Sequence, residues 1–189
     1  VFLSTVLDPA FSWQRRSLSS IGEATGTSVL ALSSLDQVAF TLFNSGLVVP
    51  GLIGAPFALA LWWDATTRTE RAGVVTLVIT FVALAGVAVA YLDGPVASLH
   101  FPTAMTFFVG TGFVLWIHGT GLVKRGDTRS GLVAIWIANG YFLFWIVWII
   151  GEALVWRGDD VWTWFAVPEF LAAIALSVWV VLQTRRLLN

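Results

Sequence analysis

Five uninterrupted apolar runs, separated by short turns that collect the charges, set the framework of this chain. They extend from Asp36 to Trp62, Ala72 to Leu92, Pro102 to Val123, Ser130 to Val155 and Val161 to Gln183. Each exceeds the roughly 20 residues that a helix rising 1.5 Å per residue needs to cross about 30 Å of hydrocarbon. The runs are continuously apolar rather than alternating, and each is too long for one barrel strand, so helices are predicted. The expected fold is all-α: a polytopic transmembrane helix bundle, one domain over residues 1–189, with residues 8–35 as an extracytoplasmic loop. Val1 to Leu7 (VFLSTVL) is apolar but too short to cross. It reads as the tail of a sixth spanning helix, with an interfacial segment as the alternative. It has neither the basic n-region nor the small-residue cleavage pattern of a signal-peptide remnant.

The loop charges give this bundle a direction. Arg68, Arg71, Lys124, Arg125, Arg129, Arg185 and Arg186, seven of the ten basic residues, fall on one side, with Asp64, Glu70 and Asp127. The other side holds Arg15, Arg16 and Arg157 against Asp8, Glu23, Asp36, Asp93, Glu152, Asp159, Asp160 and Glu169. The positive-inside rule makes the first side cytoplasmic, so a multi-pass cell-membrane protein with a cytoplasmic C-terminus is expected. Tryptophans fit as interfacial anchors, with Trp62, Trp63, Trp116, Trp136 and Trp179 towards the inner boundary and Trp13, Trp156, Trp162 and Trp164 towards the outer one.

Composition narrows the chemistry. With 58% hydrophobic and 11% charged residues and a mean hydropathy of +0.85, the chain lies far from the soluble range. A net charge of −1 leaves no basic stripe for nucleic acid. The absence of cysteine removes disulfides, thiol catalysis and cysteine-ligated metals. His100 and His118 are the only histidines; ~27 Å apart along one helix, they cannot share a haem iron. Two histidines are also too few for a three-histidine zinc site. The only lysine, Lys124, lies in a loop rather than in mid-membrane, where a retinal Schiff base would need it. No cofactor and no metal is expected, and the partners reduce to the bilayer and a lipid or small-molecule ligand.

The connection before the first run is rich in hydroxyls (SLSSIGEATGTS, Ser17 to Ser28) and suited to capping a short surface helix. The strings DPAFSWQRRSLSSIGE, FNSGL (Phe43 to Leu47), LDGP and LHFP (Leu99 to Pro102) resemble the uncharacterised membrane family catalogued as domain of unknown function 998. The likeness covers nearly the whole chain. It implies an archaeal or bacterial six-helix bundle and brings no activity with it. Where the family pattern carries an aspartate in its S-D-L-G turn, this chain has Ser20 and Ile21.

Candidate chemistry gathers at the outer ends of the predicted helices. A charge in lipid costs about 2.5 kcal/mol or more, so ionisable residues there face the bundle or a wet cavity. Asn44, His100, Glu152 and Glu169 are therefore candidates for an outward-opening polar pocket that binds or moves a small molecule or lipid head group. Tyr141, Trp145, Trp148 and Glu152 recur at helical spacing, forming an aromatic wall that ends in a carboxylate and suits a sugar ring or an amine; lipid-facing packing is the alternative. An intramembrane lipid hydrolase or transferase is a second reading. It would use Asp93 or Glu152 as base, Ser98 as nucleophile and His100 as partner, provided that an extended segment points Ser98 and His100 the same way. A scaffold for a partner membrane protein is a third. Small pairs at Gly86 with Ala90 and Ala173 with Ser177 would allow close helix contact.

Overall fold

The computed structural model of the chain describes residues 1–23, 34–156 and 162–188. Among the described residues there are six α-helices and no strand: α1 (Phe2–Leu7), α2 (Leu35–Asp64), α3 (Arg68–Val89), α4 (His100–Lys124), α5 (Thr128–Leu154) and α6 (Ala166–Leu188). Short 3₁₀ turns form at Leu18–Gly22 and Ala97–Leu99. Helices α2 to α6 are each long and apolar enough to cross a membrane, and they are the five expected runs.

Where the helix ends depart from the hydropathy boundaries, local chemistry explains the shift. Helix α3 starts at Arg68 because Thr67 and Glu70 form a reciprocal capping box, in which Thr67 Oγ1 accepts from the Glu70 N–H and Glu70 accepts from the Thr67 N–H. Asp127 caps α5 by accepting from the Ser130 N–H at 3.3 Å. Helix α6 starts at Ala166 rather than Val161, so Pro168 falls in its first turn, where a missing donor costs nothing.

In lipid the drive for helices to associate comes from close packing, and glycines on facing helices supply it here. At the α3–α4 contact a Cβ on Gly73 would lie 2.7 Å from the His118 Cβ, and one on Gly121 2.6 Å from the Glu70 side chain. Gly86 sits against Thr103 in the same contact. Helices α4 and α5 meet at Gly119, where a Cβ would come 2.8 Å from the Gly131 carbonyl. Leu77, Val114, Leu115 and Ala138 fill the resulting core, while Leu52, Val82 and Leu143 stand exposed on the outer faces. Helix α2 packs on α3, α3 on α4, and α6 on both α4 and α5.

The bundle has two unlike rims. At the arginine-rich rim Trp63 and Trp136 are 74% and 71% exposed, as belt residues should be. Trp179 is not an anchor: it is fully buried, with its ring edge-on to His118 at 5.3 Å. Trp116 also turns inward, donating to Asn139 Oδ1 at 2.7 Å. At the opposite rim the hydroxyl-rich connection forms no surface helix within its described part. Ser17 caps the Leu18–Gly22 turn, and Leu18 and Ile21 are buried in the core. Arg16 pins this plug through Asp8 at 3.6 Å and Glu23 at 3.4 Å.

Candidate functional site

Of the four residues expected to share a polar pocket, Glu169 lines a cavity between α2 and α6 that the other three do not line. Asn44 is buried on α2 and donates to the Phe40 carbonyl at 3.1 Å, with its Oδ1 unpartnered near Gly22 of the plug. His100 is buried, and its Nδ1–H donates to the Ala90 carbonyl at 2.9 Å. That bond satisfies one of the carbonyls left open at the end of α3. Glu152 accepts from the Trp162 N–H at 2.8 Å and ties the end of α5 to the turn before α6.

The aromatic wall turns inward rather than towards lipid, and other rings occupy the space before it. The Tyr141 hydroxyl donates to the Phe108 carbonyl at 2.9 Å, and Trp148 Nε1 donates to the Thr163 carbonyl at 3.0 Å. Phe108 lies 5.3 Å from Trp145, and Trp162 stacks on Trp148 at 5.9 Å with 7° between their planes. This is interior packing that positions α5 against α4 and α6.

The hydrolase constellation is not assembled. Ser98 lies in a 3₁₀ turn rather than in an extended segment and is exposed, whereas the His100 ring points inward to Ala90. Asp93 is exposed at the tight turn after α3, at a positive φ of 63°. Arg157, Asp159 and Asp160 lie outside the described residues.

Glu169 sits at the end of a cavity of about 680 Å³ between α2 and α6, floored by Phe81 and Leu84 of α3 and Phe107 of α4. Its walls are apolar, with Leu47, Pro50 and Phe57 on α2 and Ala173, Leu176 and Val180 on α6. The Ala173–Ser177 pair expected to serve helix contact lines this space instead. The cavity opens sideways, where Val49 and Ile53 are exposed. Val1 and the plug cover one end, with Phe2 and Phe170 in ring contact at 6.0 Å. At the other end Phe57 meets Trp179 edge-on at 6.0 Å. Glu169 is 5% exposed; one carboxylate oxygen accepts from the Leu18 N–H and the other from Ser19 Oγ at 3.0 Å. It therefore fastens the plug to α6 and places an acceptor at the head of an apolar slot.

The charge count assigned Asp64, Glu70, Arg125 and Arg186 only to a side of the membrane; the structure joins them. Arg125 Nη1 reaches Asp64 Oδ2 at 2.9 Å and Glu70 Oε1 at 3.0 Å, and Arg186 Nη2 reaches Asp64 Oδ2 at 2.6 Å. Burial opposes the Arg125 cation, but the hydrogen bond and charge of Asp64, with those of Glu70, outweigh it and hold its pKa above the ordinary value. The T-x-x-E spacing at Thr67–Glu70 was the available sequence signal for a buried cap. This network links the ends of α2, α3, α4 and α6 at the arginine-rich rim. No family model, curated protein or solved structure matches the chain.

Proposed function

We propose that this multi-pass membrane protein binds a single amphiphile, its apolar chain lying between α2 and α6 and its hydrogen-bond-donating head beside Glu169. The C-terminus is cytoplasmic in this reading, and the Glu169 end of the slot lies in the outer leaflet. One observation carries it: an apolar cavity of about 680 Å³ whose buried carboxylate lies at one end. The volume falls within the ordinary range of ligand pockets, and the pattern of apolar walls with few fixed polar groups is theirs too. From Phe43 to Phe57 the α2 wall runs ~21 Å, enough for an extended hydrocarbon tail. Glu169 already accepts two donors and repels an anionic head, so an amine or hydroxyl head suits it. We further propose kinship with the membrane family catalogued as domain of unknown function 998, which implies no activity.

Native mass spectrometry of the purified protein with a long-chain alkylamine, the fatty acid of equal length and a short-chain amine tests the proposal. The long amine should bind saturably, and the fatty acid and the short amine at least about tenfold more weakly, a difference of about 1.4 kcal/mol. Ser177→Trp should fill the slot and abolish binding while unfolding is unchanged, and Glu169→Gln should erase the preference for amine over acid. Equal binding of amine and acid by the unaltered protein, or full binding by Ser177→Trp, would overturn it. A co-purifying second polypeptide that blocks the amine would replace the amphiphile by a transmembrane helix.

A further inference from the structure

A second groove lies on the other side of α2. Gly51, Ala55 and Ala58 follow one another along α2 at helical spacing and, facing Val74 and Val78 of α3, leave a lipid-side depression of about 270 Å³. Its floor is apolar throughout, and it ends towards the arginine-rich rim at Trp62. The Arg71 guanidinium lies over that ring, 5.5 Å from its centroid. Arg71 stands one turn before Val74 on the same helix, and Arg68 one turn before Arg71; both are exposed. The tail-shaped groove thus leads to two cations at the level where a membrane's head groups begin.

Charge complementarity identifies the occupant. The rim's acids nearest these arginines are already engaged: Glu70 is fully buried and held by Arg125, Thr66 and Thr67, and Asp64 is held by Arg125 and Arg186. Among the described residues no ion pair engages Arg68 or Arg71. The Trp62 face, with Arg71 stacked over it, keeps that guanidinium beside the groove mouth while its N–H edges stay free to hold an anion.

We propose that the α2–α3 groove is a binding site for an anionic phospholipid, with one acyl chain along Gly51, Ala55 and Ala58 and the phosphate held by Arg71 and Arg68. A zwitterionic lipid offers the same chain without net negative charge, and its amine faces two cations. Phe81 of α3 borders both this groove and the α2–α6 slot, but Gly51, Ala55, Ala58, Arg68 and Arg71, which would hold the phospholipid, do not line the slot, so neither proposal depends on the other.

The test is native mass spectrometry of the full chain titrated with phosphatidylglycerol and phosphatidylcholine of identical chains. Phosphatidylglycerol should bind at least tenfold more tightly. Each of Arg68→Ala and Arg71→Ala should lower its affinity by about fivefold, the worth of one cation near an anionic head group. Ala55→Trp should remove chain binding for both lipids, whereas Ser177→Trp should leave phosphatidylglycerol binding intact. Glycerol 3-phosphate, the head without chains, should compete only weakly. Equal affinity for the two lipids, or unchanged phosphatidylglycerol binding in the Arg68→Ala/Arg71→Ala double variant, would overturn the proposal. Strong competition by glycerol 3-phosphate would overturn it too, leaving a site for free phosphate esters.

Discussion

Five donors converge on the Glu70 carboxylate: the N–H and hydroxyl of Thr66, the same pair on Thr67, and the Arg125 guanidinium. A carboxylate without solvent contact needs such partners, because removing the one opposite charge leaves an uncompensated ion in a poor dielectric. Arg125→Ala should therefore destabilise the protein by about 3 kcal/mol in reversible detergent unfolding, and Arg125→Ala/Glu70→Gln should recover much of the loss. If the double variant is no more stable than Arg125→Ala, the charge pairing is not what holds the rim. Residues of this kind were only half legible in the sequence. Charge counting sorts Arg125 and Glu70 by side, since lipid forbids them elsewhere, but their pairing depends on where α3 and α4 cross. Likewise, Asn44, His100 and Glu152 read in the sequence as candidates for one shared pocket, and each is instead engaged by a backbone group. The Asn44 bond to the Phe40 carbonyl at 3.1 Å follows the i−4 spacing of a helix, whereas those of His100 to Ala90 at 2.9 Å and of Trp162 to Glu152 at 2.8 Å depend on how the chain turns between helices.

Helix identity was the most legible level, because hydrocarbon demands length and apolarity from every segment that crosses it. Helix faces were less so: glycine and alanine are abundant, and only the packed structure separates those at a crossing from those facing lipid. Gly121 touches the Glu70 backbone, whereas nothing lies within 4 Å of a Cβ on Gly140. Gly121→Val should thus cost about 1–3 kcal/mol through forced separation of α3 and α4, measured by detergent unfolding. Gly140→Ala should be neutral or slightly stabilising, since alanine is the better helix former. Comparable losses at both sites would show that the crossing does not depend on close approach. The plug was the least legible element. Its burial is fixed by Glu169, about 150 positions away in sequence, and not by its own hydroxyl-rich composition.

At the scale of the whole molecule, the charge asymmetry makes an orientation claim that a simple labelling experiment decides. The chain contains no cysteine, so a single introduced thiol reports without background. Gln14 and Arg129 are exposed at opposite rims. In intact cells a membrane-impermeant maleimide should label Gln14→Cys and spare Arg129→Cys until the cells are broken. The reverse pattern would invert the bundle and, with it, the leaflet facing each groove.

The slot between α2 and α6 has an opening on the flank of the bundle, beside Val49 and Ile53. A guest arriving by that door never has to dissolve in water. Its occupancy would follow its mole fraction among neighbouring lipids, so that the protein samples the make-up of the bilayer rather than the contents of the medium.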